Sequence, residues 1–546
     1  MLIVNQLKLK PGYTDKELVR KLTATLQILP EDLLSYDIER QSIDARRKPD
    51  IFFILSVVCN VRHEESVLRR LKGDSVSLYN PAEYKFTITG KNQIVKRPVI
   101  VGDGPCGLFA AYMLAKNGYK PLILERGFPI DMRKKDVERF WNGGPLNESS
   151  NVLFGEGGAG TFSDGKLNTL VKDKEGRNKE VLRTFVKFGA DPSIMYEAKP
   201  HIGTDVLEKI VKAMRDEIEA KGGEFKFNAE MTDILISDDE VVGVMVNGIT
   251  KIDCSDVLLC IGHSARNTFE MLYKKGIHME QKDFAVGLRV EHSQKMIDKV
   301  MYSDDEEVLK KLPHAAYKLT YKADNGRGVY SFCMCPGGYV VNASSEKGLL
   351  CINGMSYSGR NGDNANSAIV VTVGRDDFGD DHPLSGIRFQ RELERRAYEV
   401  GSGNIPAELY GDFKAEVFDR ENLDESDYRT VTKVSPNCKG AYTMGKVSEV
   451  LPKEISKTLI EGMDYFGRII PGFNDNSVIV SAVETRTSSP VRITRDENFQ
   501  ALNIKGLYPC GEGAGYAGGI TSAAMDGMKA AEKIAALYKP FRREEL

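Results

Sequence analysis

The sequence predicts an α/β protein: a Rossmann-like domain interrupted by a mainly β (α+β) insert and preceded by a small ferredoxin-like α+β module. Three observations predict this. Pro98 to Glu125 reads as a strand, a glycine turn, a helix and a second strand ending in an acid. Far down the chain, Leu507 to Ala531 again runs a short strand into clustered glycines and a helical pattern. Ahead of both, residues 1–95 carry apolar patterns in the order βαββαβ, which is the order of a split βαβ plait.

Within residues 1–95, the segment from Leu2 reads as a strand, and Asp15 to Leu29 as a helix with apolar spacing at Leu18, Leu22, Leu26 and Leu29. Ser35 to Ile43 alternates like a strand, Asp50 to Val61 is a β-rich apolar run, and Glu64 to Leu71 is a short helix. Arg46, Arg47, Lys48, Arg62, Arg69, Arg70 and Lys72 give this module local positive charge. Nucleic-acid recognition is therefore one reading of it; a packing appendage is the favoured one.

The second domain spans residues 96–283. Gly102, Gly104 and Gly107 form a G-x-G-x-x-G turn, and Glu125 ends the next strand. Gly102 permits the tight turn, Gly104 admits a pyrophosphate to the backbone, and Gly107 lets helix and strand pack closely. Pro105 and Cys106 open the helix, whose free N–H groups and dipole favour phosphate. Glu125, followed by Arg126, is placed to accept hydrogen bonds from a ribose diol. An ordinary glycine-rich turn would not explain that acid, so a bound dinucleotide is expected. Phe154 to Lys166 is too glycine-rich for regular structure and suits a backbone wrapped round a ligand. Gly158, Ala159, Gly160 and Thr161 are its expected cofactor contacts. Thr204 to Lys221 reads as an amphipathic helix, followed by strand-like segments from Glu224 through Val246.

Residues 284–474 change to irregular β patterns with two helical stretches and read as an inserted substrate domain; residues 475–546 return to the first fold. In the insert, Cys333-Met-Cys335 offers a redox dithiol, a metal half-site or a nucleophile. Two cysteines at this spacing on a regular strand share a face but form only a strained disulfide. Nearby residues supply no further ligands at metal spacing, so no metal is expected. Structural thiols near the cofactor are the favoured reading. Other chemical candidates are His201 and His263, which could protonate a carbanion, and Arg486, which could clamp a carboxylate. Each has an ordinary structural alternative.

Leu507-Tyr-Pro-Cys-Gly-Glu-Gly-Ala-Gly-Tyr-Ala-Gly-Gly-Ile520 resembles the distal flavin motif of glutathione-reductase-like FAD proteins. That resemblance implies FAD, held non-covalently. It places Gly511 and Glu512 at the ribityl or phosphate region, and Gly518, Gly519 and Ile520 near the flavin pyrimidine edge. Asp256 to Arg266, with Gly262, resembles the step closing the first nucleotide-binding half of the same superfamily. Longer runs, among them Gly155 to Asn168, Ile261 to Arg266, Phe332 to Gly338 and Thr485 to Pro490, resemble a little-characterised family of FAD-dependent dehydrogenases. The resemblance covers most of the chain and implies redox chemistry without a substrate.

Composition sets the outer bounds. A chain of 546 residues suits about two to four domains, and 41% apolar with 28% charged content suits a soluble protein. The net charge of −3 argues against a globally basic nucleic-acid binder. No stretch approaches the roughly 18 apolar residues of a membrane span, and the N-terminus lacks a signal-peptide layout. Nine scattered cysteines predict reduced thiols and a cytoplasmic location. The expected function is an FAD-dependent oxidoreductase passing a hydride to or from a small organic substrate. No second G-x-G-x-x-G unit follows a strand, so any NAD(P)H donor would dock transiently. The alternative is a flavin-containing RNA-binding or RNA-modifying protein that recognises its target through the N-terminal module.

Overall fold

The computed structural model describes residues 1–71, 75–419 and 434–542. Its centre is a five-stranded parallel sheet. In space the strands run Leu507–Pro509, Val257–Leu259, Val99–Val101, Leu122–Leu124 and Glu224–Lys226. The first four are buried at every residue, as continuous apolar runs are when both faces of a sheet are covered. The helices Pro105–Lys116 and Ile520–Leu537 pack against one another in the same core. A Cβ on Gly527 would lie 2.0 Å from the Cys106 carbonyl oxygen, so only glycine permits that approach. An antiparallel meander, Met231–Ser237, Glu240–Val246 and Thr250–Asp253, connects the third and fourth parallel strands in chain order. The last parallel strand returns to the sheet edge beside Val257–Leu259, which brings the C-terminal glycines next to the first turn.

The insert is built on a seven-stranded sheet, with Phe284–Ser293 and Asn364–Val373 at its heart. The helices Ser385–Val400 and Lys453–Ile469 are its longest. Ile479–Glu484 is also a strand of this sheet, paired with Phe284–Ser293 and Ile405–Leu409. The sheet thus runs past the boundary expected at residue 474. The apolar run Ile-Val-Ser-Ala-Val fits a buried strand of either domain, and only its partners assign it.

Residues 1–71 with Val76–Leu78 form a four-stranded antiparallel sheet in the order Leu33–Arg47, Asp50–Val61, Leu2–Leu9, Val76–Leu78. It docks on the second domain through backbone bonds from Gln41 N to the Tyr196 carbonyl, 2.7 Å, and from Ala198 N to the Gln41 carbonyl, 2.8 Å. Its cations are largely engaged. Arg46, Arg62 and Arg69 pair with Asp44, Asp32 and Glu65, Arg70 donates to the Leu26 and Gln27 carbonyls, and Lys48 to that of Val300. Lys72 lies outside the described residues. No helix among the described residues is long and apolar enough to cross a membrane.

Candidate functional site

A cavity of about 350 Å³ opens along the carboxyl ends of the parallel strands, where open α/β sheets hold their ligands. Its floor is the Gly102–Cys106 turn. Gly102 has φ +97°, and a Cβ there would lie 2.7 Å from the Cys260 carbonyl oxygen. Gly104 caps the helix Pro105–Lys116 with no side-chain bond, leaving its first N–H groups facing the cavity. A second uncapped helix start, Gly519 before Ile520–Leu537, borders the same cavity. Two positive helix ends thus converge on one site.

Of the expected cofactor contacts, Gly102, Gly104, Pro105, Cys106, Glu125, Arg126, Gly158, Ala159, Gly160, Gly262, Glu512, Gly518, Gly519 and Ile520 line this cavity. Gly107, Thr161 and Gly511 do not. Gly107 lies behind the turn, where a Cβ would come within 1.9 Å of the Gly102 carbonyl oxygen. Thr161 is buried beneath its loop, and Gly511 packs on Cys106. Among the chemical candidates, His263, Cys333 and Arg486 line the cavity, whereas His201 and Cys335 sit behind it.

Glu125 has two sets of partners in prospect. Its carboxylate accepts backbone N–H bonds from Asp103, Gly127 and Gly155 at 2.9–3.0 Å, tying three loops together. Acceptor capacity remains for a further donor. Its neighbour Asp103 is fully buried, lines the cavity and has no hydrogen-bond partner on either carboxyl oxygen. Burial, with Glu156 and Glu125 close by, raises its pKa well above the ordinary aspartate value. Both of its carboxyl oxygens are thus unused beside a phosphate-type turn. Glu512 borders the cavity at the other motif, and burial raises its pKa to about 7, with Lys282 opposing. These unpaired polar groups and open helix ends fit a dinucleotide with ribose, pyrophosphate and ribityl oxygens.

The glycine loop is held by a residue whose role the sequence pattern did not reveal. Arg133, fully buried, donates to the carbonyls of Asn151, Val152, Gly155, Glu156 and Gly158 at 2.7–3.2 Å. The loop then presses on the first turn: a Cβ on Gly158 would lie 2.9 Å from the Gly104 Cα. The two glycine motifs are halves of one cradle.

His263 presents its exposed edge to the cavity. Burial, then the charges of Arg486 and Arg266, hold its pKa down to about 3, so the imidazole is neutral at physiological pH. Of the two sequence readings, a proton donor or a structural histidine, a depressed pKa favours the second. Arg486 is bound by Glu394, which meets its Nε and Nη2 at 2.9 Å each, while Nη1 donates to Ser345. Glu394 also takes both ends of Arg266, joining the Ile261–Arg266 segment to the insert. Of its sequence readings, a substrate clamp or an ordinary ion-pair partner, the geometry shows Arg486 in an ion pair at the cavity wall. His201 faces the Ser358 carbonyl at 3.4 Å.

The strand order and the two-ended cavity are those of an open α/β sheet with a glycine cradle at its carboxyl edge. Residues 283–487 match the model of the FAD-dependent protein, C-terminal domain-like, family, and residues 1–60 match a domain of unknown function. The chain is 44% identical over 534 residues to an uncharacterized protein of Clostridium beijerinckii, covering 97% of this chain and 98% of that one. The chain belongs to the family of that protein. It is also 27% identical over 214 residues to a thiamine thiazole synthase of Thermotoga maritima, covering 36% of this chain and 68% of that one. A solved glycine oxidase from Bacillus cereus aligns over 82% of this chain and 99% of its own, at 12% identity and a TM-score of 0.31.

Proposed function

We propose that the protein is an FAD-dependent oxidoreductase whose insert covers the flavin and admits a small organic substrate. The observation that carries this reading is the convergence of two uncapped helix N-termini, at Gly104 and Gly519, on one cavity roofed by the insert's Phe332, Cys333 and Asn353. Gly102 to Cys106 and the Gly158–Gly160 loop would hold the pyrophosphate, and Asp103 and Glu125 the adjoining polar groups. Glu512 would meet the ribityl chain. The start of Ile520–Leu537 would stabilise negative charge on the reduced ring. A bound flavin supplies two-electron transfer; the protein orients it and sets the surrounding charge. A dihydronicotinamide donor, if used, docks transiently, and the N-terminal unit is a ferredoxin-like packing module.

The test is the visible spectrum of purified protein during anaerobic titration with NADPH and NADH. A flavin band that bleaches establishes the reductive half-reaction. Protein that carries no flavin, and binds none when FAD is added, would overturn the assignment.

A further inference from the structure

The wall of the cavity opposite the glycine cradle contains an irregularity. The strand Gly328–Cys335 pairs with Asn364–Val373 so that Phe332 faces Ala368 and Cys335 faces Asn366. Three steps on one strand match two on the other, a β-bulge of the kind that re-aims side chains beside active sites. Within it Cys333 adopts φ +45°, a left-handed conformation that non-glycine residues rarely take. The consequence is a pair of thiols that a regular strand would not join. The Cys335 thiol turns back on its neighbour and donates to the Cys333 carbonyl at 3.2 Å.

Cations surround this pair. Arg289, fully buried, donates to the Cys333 carbonyl at 3.2 Å and is fixed by Glu484 and Asn366. Lys166 stands 3.0 Å from Asp164, without a hydrogen bond to its buried Nζ. The hydrogen bond from Cys335, followed by Lys166 and Arg289, holds the Cys333 thiol well below its usual range against the opposing effect of burial. Cys333 and Lys166 line the cavity while Cys335 is fully buried and does not, which is the order of an attacking and a resolving thiol.

We propose that Cys333 and Cys335 form a redox dithiol on the substrate side of this cavity, and that a small disulfide is a substrate of the site. The Cys333 thiolate attacks one sulfur of the disulfide, forming a mixed disulfide and releasing one thiolate. Cys335 then gives up its proton and attacks the Cys333 sulfur. A Cys333–Cys335 bond forms, the second thiolate leaves, and the Cys335 proton passes to one of the two products. The protein dithiol loses two electrons and the small disulfide gains two. One such reduction per chain follows from the thiols alone; repeated turnover rests on the reading of the cavity as a flavin site.

The experiment uses the full chain as purified, reduced with dithiothreitol, desalted under argon and exposed to cystine or oxidised glutathione. The peptide containing both cysteines should lose two hydrogens in mass, and no variant is needed to see it. Cys335→Ser should instead carry one glutathione on Cys333, and Cys333→Ser should carry none there. FAD content and the flavin spectrum are measured on the same samples. Wild-type protein that retains FAD but leaves Cys333 and Cys335 reduced would overturn the dithiol and spare the flavin assignment. Protein without FAD whose peptide is still oxidised would do the reverse. Glutathione found on other cysteines and absent from Cys333 in the Cys335→Ser protein would also overturn the dithiol.

Discussion

Arg133 Nη1 donates to the Gly158 carbonyl at 2.9 Å, and the Gly158 backbone in turn leans on Gly104. The phosphate cradle is therefore shaped by a guanidinium that lies outside it. Arg133→Met would strand the five carbonyls it serves, four of them in buried bonds. A loss of about 3 kcal/mol or more is expected, because unsatisfied buried acceptors cost roughly 1–3 kcal/mol each before relaxation. Chemical denaturation and the FAD content of purified protein check this. A variant as stable and as yellow as the parent would show that the loop holds itself.

Gly104 and Gly107 separate binding from folding. A Cβ at Gly104 meets nothing nearer than the Gly158 Cα at 3.9 Å, whereas one at Gly107 falls 1.9 Å from the Gly102 carbonyl oxygen. Gly104→Ala should melt with the parent but bind FAD at least about tenfold more weakly, a loss of roughly 1.4 kcal/mol. Gly107→Ala should yield little folded protein. Equal FAD affinity in parent and Gly104→Ala would remove the pyrophosphate from that turn.

Glu512 gives the cofactor affinity a pH dependence. Its pKa of about 7 means that the carboxyl is protonated below neutrality and charged above it. A diphosphate nearby disfavours the charged form, so FAD should bind best below pH 7 and more weakly as pH rises through it. The change should be on the order of tenfold between pH 6 and 8, and Glu512→Gln should flatten it. Fluorescence titration of apoprotein at several pH values measures this. A slope that survives in Glu512→Gln would assign it to another group.

Glu394 is fully buried between Arg266 and Arg486, and their charges outweigh burial in keeping its carboxylate ionised. Replacing it with alanine leaves two buried cations short of a partner. The expected cost is about 3–5 kcal/mol, the range for breaking buried ion pairs. Looser docking of the insert should accompany it, read as faster proteolysis within residues 284–484. Unchanged proteolysis would mean that the apolar interface alone holds the insert.

The glycine turns, the acid at Glu125 and the distal Leu507–Ile520 motif were legible in the sequence because each depends on a local backbone requirement. A positive φ, a close helix approach or an open helix N-terminus restricts residue choice wherever it occurs. The order of elements in residues 1–78 was legible for the same reason: periodicity is local. Partnership is not local. Arg133 reads as one charge of the run Arg133-Lys-Lys, and becomes the loop's anchor only through carbonyls up to 25 residues away. Nothing local to Arg486 or Arg266 names their common partner, Glu394, which helix Ser385–Val400 brings between them.

Sequence by itself thus determined where the glycine cradle lies, because that cradle is made of backbone and of residues fixed by backbone geometry. Tertiary structure decided the charge states and the roles of side chains. Burial pushes the Asp103 pKa up and the His263 pKa down, and tertiary pairing joins Arg486 to Glu394. A single extra residue in one strand set Cys333 against Cys335. Each of these depends on desolvation or on contacts between residues tens of positions or more apart, which no local pattern encodes.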